Sequence, residues 1–201
     1  MSFRITTRVH SVKKDILPFA YVDDIFTPEE LQRVVDYCDN LQLIDATIGQ
    51  GKLAPQYRKS KVNQFKVNKE NEWIFERLQI ATEYMNNEFF RFDLIGFDQI
   101  QYTEYRDDNN LYDFHVDCYM GHDVPLDHSY PRKLSFSLIL SDNTEYTGGK
   151  FEVMYSKVPE EVTQKKGRLL AFPSHMLHRV TPVIKGTRKS LVFWVIGPKF
   201  K

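Results

Sequence analysis

His115-Val116-Asp117 sets an imidazole and a carboxylate two residues apart, and His178 follows about sixty residues later. On an extended strand, residues i and i+2 point to one face, so both members of the pair can reach a single ion. His178 lies in Phe172-Pro173-Ser174-His175-Met176-Leu177-His178-Arg179-Val180, at the start of a candidate strand that could close over the same cavity. Two histidines and one carboxylate on one face of an octahedron leave three positions open, as an oxygen-activating non-haem Fe(II) requires. Other divalent ions can bind the same ligands. Taken alone, a His-X-Asp pair is a weak signal, and a surface His–Asp contact is its commoner explanation. His175 competes with His178 for the third position. His178 is preferred because the chain after it brings Arg188 onto the next candidate strand. His10, His122 and His128 fall in segments of loop character and read as solvated side chains.

The second informative stretch is Gly186-Thr187-Arg188-Lys189-Ser190-Leu191-Val192-Phe193-Trp194. A short turn around Lys185-Gly186 would return Arg188 toward the cavity that holds His178. Period two then points Arg188, Ser190, Val192 and Trp194 the same way. An inward arginine is costly unless it meets an anion, and its fork fits a carboxylate in bidentate fashion. The alternative is an arginine turned outward to solvent or paired with Asp or Glu.

The elements that must position these groups are legible in outline. Leu17 to Phe26 reads as a short strand leading into a helix. Thr27-Pro28-Glu29-Glu30 is a helix start in which Thr27 caps, Pro28 takes the first position and Glu30 completes a capping box. Leu31, Val34, Val35 and Cys38 follow at helical spacing. A second helix is expected from near Asn71 to about Phe89. Between the helices, residues 45–69 are polar and broken by Gly49, Gly51 and Pro55, with an extended segment at Ser60 to Val67. From Gly96 onward, strands are expected at 97–105, 133–140, 149–155, 167–172, 178–183 and 188–196, punctuated by turn residues. The fold class is α+β with a mainly β core: a sandwich or jelly roll braced on one sheet by two N-terminal helices.

Lys+Arg and Asp+Glu balance at 27 each, so bulk charge makes no case for a nucleic-acid or anionic-membrane partner. Two cysteines, Cys38 and Cys118, do not make a disulfide framework and suit a reducing compartment. Met1 to Val12 lacks the apolar run of a signal peptide, and no stretch approaches the ~20 apolar residues of a membrane span. A cytoplasmic protein of one domain, residues 1–201, is the expectation.

Together these pieces resemble the 2-oxoglutarate- and Fe(II)-dependent oxygenases, most of all their prolyl 4-hydroxylase-like branch. The order is His-X-Asp, then His, then Arg ten residues later. Phe172-Pro173-Ser174, Leu177 to Val183, Gly186-Thr187-Arg188 and a Trp six residues past the Arg match the C-terminal pattern of that branch. Gln101 to Tyr105 matches its Gln-X-X-X-Tyr, Tyr112 its Tyr three residues before the first His, and Gly148-Gly149-Lys150-Phe151 its Gly-Gly before an aromatic strand. The resemblance covers roughly 97–197 and leaves residues 1–96 as helical support.

The resemblance implies a double-stranded β-helix. It also implies Fe(II) on His115, Asp117 and His178, and 2-oxoglutarate held by Arg188 with help from Tyr105 and, more weakly, Ser190. O₂ would be the oxidant, succinate and CO₂ the by-products, and ascorbate a reductant that keeps the iron reduced. No catalytic side chain is implied beyond the metal site. Tyr112 and Trp194 would line the substrate side, although any β core holds such aromatics. Residues 119–131 read as a long loop that, with 105–112, could form a lid over a peptide. The expected reaction is hydroxylation of a prolyl residue in a protein or peptide. The same chemistry on a free amino acid or another small molecule is the alternative. A roomy groove lined by Tyr112 and Trp194 would favour the peptide; a closed pocket with a second arginine would favour the small molecule. Rivals from other classes are a metal-binding cupin-like protein without oxygenase activity and a β-sandwich interaction module without metal. No motif speaks to oligomeric state.

Overall fold

The structure is a computed structural model that describes residues 17–48, 51–118 and 130–199. Expectations that fall on His10, His122, His128 and residues 119–129 of the lid lie outside the described residues. In chain order the elements are β1 (Ala20–Val22), α1 (Pro28–Asp39), β2 (Ile44–Asp45), β3 (Arg58–Lys59), β4 (Lys61–Phe65) and α2 (Glu72–Met85). Then come β5 (Gly96–Arg106), β6 (Leu111–His115), β7 (Arg132–Ile139), β8 (Tyr146–Gly148), β9 (Phe151–Met154) and β10 (Glu160–Val162). The chain closes with β11 (Leu169–Pro173), β12 (Leu177–Val180) and β13 (Val183–Ile196).

Thr27 starts α1 as its side chain and composition dictate. Its hydroxyl accepts from the Glu30 amide, and the Glu30 carboxylate accepts from the Thr27 amide, so two orphan helix-end donors are satisfied at once. The expected end of α2 is more irregular. The α-helix stops at Met85 and continues as a π-turn over Asn86–Phe90, closed by Arg91 at φ 58°. Asn86 fixes that end, its side chain donating to the Phe92 carbonyl and accepting from the Phe92 amide.

The strands form two sheets. The larger runs in the order β1-β11-β7-β13-β5-β4-β2, with β8 pairing the start of β13; the smaller runs β10-β9-β12-β6-β3. Both helices lay their apolar stripes on the outer face of the larger sheet. Leu31, Val34, Val35 and Cys38 of α1 and Ile74, Leu78, Ala81 and Met85 of α2 share one cluster with Ile100, Leu134, Leu138, Leu191, Phe193 and Val195. Phe136 and Phe193 stack across paired strands with centroids 4.6 Å apart. Each such side chain contributes roughly 1.5–3 kcal/mol when fully buried. A second, smaller cluster between the sheets includes Tyr105, Phe151, Val153, Phe172, Val180 and Val183. The two sheets packed face to face give the expected jelly-roll class. Among the described residues, no helix is long and apolar enough to cross a membrane. Cys38 and Cys118 are buried free thiols.

Three expectations need correction. Lys185-Gly186 is no turn: β13 runs unbroken through it, and the reversal after β12 sits at Thr181-Pro182. Gly186 is there because β8 passes so close. It has φ +77°, and an added Cβ would sit 2.0 Å from the Glu145 carbonyl oxygen. Residues 105–112, expected to join the lid, are no long loop: they end β5, turn tightly with Asn109 at φ 51° and begin β6, carrying the chain from the larger sheet to the smaller. Residues 44–59 also hold two short strands, β2 and β3, which carry no alternation that sequence could reveal.

Candidate metal centre

β6 and β12 pair in antiparallel register, and the paired residues include His115 opposite His178. Their rings lie 4.2 Å apart between centroids. Asp117 is not on the strand, as the i, i+2 argument supposed; β6 ends at His115. Asp117 is held instead by its own amide, which donates to the Ser174 carbonyl at 2.8 Å, with the Cys118 amide joining at 3.1 Å. Phe172-Pro173-Ser174 is therefore a clamp on the loop that bears the carboxylate. The Ser135 hydroxyl, 2.9 Å from that of Ser174, also hydrogen-bonds Asp117.

Ligand atoms of His115, Asp117 and His178 all lie within 4.8 Å of one another. The Nε2 atoms of His115 and His178 stand 3.6 and 3.5 Å from the two Asp117 oxygens, too far for good hydrogen bonds. Donor atoms about 2.1 Å from one ion and at right angles to each other are about 3 Å apart, so slight rotations would seat a divalent cation. The imidazoles are set for it. His115 Nδ1 lies 2.7 Å from the Asp113 carbonyl oxygen and His178 Nδ1 2.9 Å from that of Met176. Those carbonyls can only accept, so Nδ1 carries the proton and Nε2 offers its lone pair inward.

Protonation agrees with that role. Burial lowers the His178 pKa to about 4, against a partial opposing pull from Asp117, so the ring is neutral near pH 7. Burial pushes the Asp117 carboxyl up, but His178, His115 and Ser135 outweigh it and hold the group ionised, well below the usual carboxylate range. Tyr112 stacks on His115 at 3.4 Å and 13°, fixing the ring plane. Burial raises the Tyr112 phenol to about 12, and that of Tyr105 is raised by the same cause, so both stay protonated donors.

These three residues line one cavity with Arg188, Ser190, Val192 and Trp194 of β13, Gln101, Thr103 and Tyr105 of β5, and Tyr112 of β6. The cavity encloses about 450 Å³ of atom-free space, its mouth included. β13 and β5 have the expected parity, and every second residue faces in. Arg188 is 1% exposed. Its Nη1 donates to Ser190 at 3.2 Å and its Nη2 to the Gln164 side-chain oxygen at 2.7 Å, while Nε is buried without a partner. No carboxylate of the described residues pairs with it. Gly149 leaves it room, because a Cβ there would approach the Arg188 Cδ to 3.1 Å. An inward guanidinium with unspent donors is the chemistry of an anion site. His175 is exposed and outside the cluster.

Sequence reasoning overlooked three contributors. Gln164 and Ser135 are remote in sequence from the groups they touch and carry no motif. Arg58 of β3 also lines the cavity, its guanidinium carbon 4.6 Å from the Tyr112 ring centroid. Its isolation in a polar stretch hid it.

Residues 100–196, spanning β5 to β13, match the sequence model of the 2OG-Fe(II) oxygenase superfamily. A PKHD-type hydroxylase of Xylella fastidiosa strain M23 is 39% identical over 92 residues, which are 44% of this chain and 40% of that protein. The chain thus spans well under half the length of that relative. One from Nitrosomonas europaea is 28% identical over 178 residues, covering 87% of this chain and 76% of its own. A solved Pseudomonas putida prolyl-4-hydroxylase superposes with TM-score 0.72 at 17% identity, over 94% of this chain and 96% of that one. A Trichoplax adhaerens prolyl hydroxylase, solved with a hypoxia inducible factor oxygen degradation domain peptide fragment, gives 0.72 at 14% identity, over 94% and 86%. At such identities the likeness is one of fold. The span that matches the 2OG-Fe(II) oxygenase superfamily model coincides with most of the strands that enclose the cavity, so the chain is similar to that superfamily where its candidate site lies.

Proposed function

We propose that the chain is a single oxygenase domain that hydroxylates a prolyl residue of a protein or peptide, consuming 2-oxoglutarate and O₂ and releasing succinate and CO₂. The observation that carries this reading is one cavity with a cluster of two imidazoles and a carboxylate on one wall and a buried, incompletely used arginine on another. His115, Asp117 and His178 would hold Fe(II), which supplies O₂ activation when bound. Arg188 would take the far carboxylate of 2-oxoglutarate, with its Nε as the donor still unspent. Ser190 keeps the guanidinium turned inward, and Tyr105, whose ring centroid lies 5.6 Å from the guanidinium carbon, would add a phenol donor to the same end. Tyr112 and Trp194 would border the substrate. Trp194 Nε1 is a buried donor without a partner, which suits a carbonyl of a peptide. The aromatic walls around His178, Phe151 and Phe172, keep water from the reacting region.

The peptide reading draws support from the fold, shared with a prolyl hydroxylase solved with a peptide. Arg58 is the observation that favours the second reading, the same chemistry on a free amino acid. The test is succinate formation with Fe(II) and 2-oxoglutarate, followed by mass spectrometry of a proline-containing peptide panel and of free L-proline for a one-oxygen gain. No 2-oxoglutarate turnover in a metal-loaded, folded protein would sink the enzyme reading in favour of a metal-binding cupin-like one. A gain on free proline alone would move the substrate to the small-molecule class.

A further inference from the structure

We propose that Arg58 is a substrate anchor, and that the substrate therefore carries a carboxylate close to the carbon that is hydroxylated. This rests on the oxygenase reading of the cavity and adds to it the charge of the substrate. β3 pairs with β6 so that Arg58 lies opposite Tyr112. The guanidinium covers one aromatic ring, and that ring in turn stacks on His115. Arg58 is thus two stacking contacts from a metal-side imidazole. It is tied only lightly: Nη1 donates to the Thr47 carbonyl at 2.9 Å, while Nε is buried with no partner. Among the described residues no carboxylate pairs with Arg58, although the other ion-pairing arginines, such as Arg168 with Asp23 and Arg179 with Glu152, have theirs.

Charge balance makes the vacancy specific. The arginines and carboxylates that line the cavity are Arg58, Arg188 and Asp117. A divalent metal and a dianionic co-substrate would be balanced by Asp117 and Arg188 together. Arg58 then remains as one positive charge, partly desolvated and unneutralised, which is costly unless the last ligand to enter is an anion. A carboxylate fits its fork, and the stacking on Tyr112 keeps that fork in plane. Two sources share this chemistry: the α-carboxylate of a terminal proline or free amino acid, and an acidic side chain flanking an internal proline.

The test compares four ligands on protein loaded with Mn(II) and 2-oxoglutarate without O₂, by calorimetric titration. They are a neutral internal-proline peptide with amidated end, the same peptide with glutamate beside the proline, a peptide ending in free-acid proline, and L-proline. Wild type is expected to favour at least one carboxylate-bearing ligand over the neutral peptide by roughly tenfold to a hundredfold. Arg58→Gln is expected to remove that preference, and Arg58→Lys to restore part of it, with unchanged unfolding midpoints showing intact folds. The favoured ligand identifies the source. Repeating the series with leucine for proline separates the two readings. A carboxylate preference in both series keeps the anchor and removes prolyl specificity, whereas a proline preference without a carboxylate preference overturns the anchor. No preference in wild type, or one that survives in Arg58→Gln, overturns it. So does a variant that instead weakens 2-oxoglutarate binding, because the charge would then belong to the co-substrate.

Discussion

The two faces of β13 are built from one run of alternating residues and have opposite chemistry. Leu191, Phe193 and Val195 point outward under the helices and are at most 2% exposed. Arg188, Ser190, Val192 and Trp194 point into the cavity. β5 repeats the division, with Ile100 against the helices and Gln101, Thr103 and Tyr105 in the cavity. The outer face is apolar and closed, so its contacts report on stability. The inner face holds buried donors with no partner, Arg188 Nε and Trp194 Nε1, which a fold alone has no reason to keep. Apolar packing and the proposed chemistry thus lie on opposite sides of the same strands, with α1 and α2 covering the first and the smaller sheet closing over the second.

That separation can be broken from either side. Asp117→Ala should abolish Fe(II)-dependent succinate formation, and Mn(II) affinity should fall by more than the roughly 10- to 100-fold typical of losing a residue that only orients a ligand. The metal-free protein should keep its unfolding midpoint, since the variant removes a buried charge and not a packed side chain. A midpoint that collapses would show that the site also holds the sheets together. Phe193→Ala removes a ring stacked on Phe136 and should cost about 3–5 kcal/mol in denaturant titrations, while the folded fraction binds metal as before. Lost metal affinity in that folded fraction would join the two faces into one unit.

A finer cut lies within the inner face. Arg188→Gln should raise the KM for 2-oxoglutarate by roughly 10- to 100-fold while Mn(II) affinity in the absence of 2-oxoglutarate stays the same. An unchanged KM would free Arg188 from the role proposed for it. The smallest expected effect is at the sheet edge. The side-chain bond from Arg168 holds Asp23 down to about 2, and desolvation opposes it only partly. A depressed carboxyl stabilises the fold above its unfolded pKa near 4, and that contribution is lost as pH falls through 2. Because Asp23 is part-exposed, about 1 kcal/mol is expected. Asp23→Asn should flatten the acid limb of stability between pH 4 and 2, with metal binding at neutral pH unchanged.

Local rules carried a good part of this molecule. The cap at Thr27, the apolar stripe of α1 and the period-two reading of residues 188–194 each follow from interactions within a few residues, which sequence displays directly. The same rules misplaced the turn at Lys185-Gly186. They took Gly186 as a chain reversal, when the glycine answers a neighbouring strand, β8, pressing on it. Strand parity also put His115 and Asp117 on one face for an incomplete reason, since Asp117 is off the strand and owes its position to the Ser174 carbonyl.

By itself, the sequence determined which side chains could do chemistry, their order along the chain, and which face of β13 each would take, because alternation is a property of the strand. Only the tertiary structure decided that His115 and His178 stand opposite each other, that Gln164 reaches Arg188, and that Arg58 from a two-residue strand enters the same cavity. Those are contacts between segments far apart in the chain, set by sheet pairing, and no local pattern encodes them.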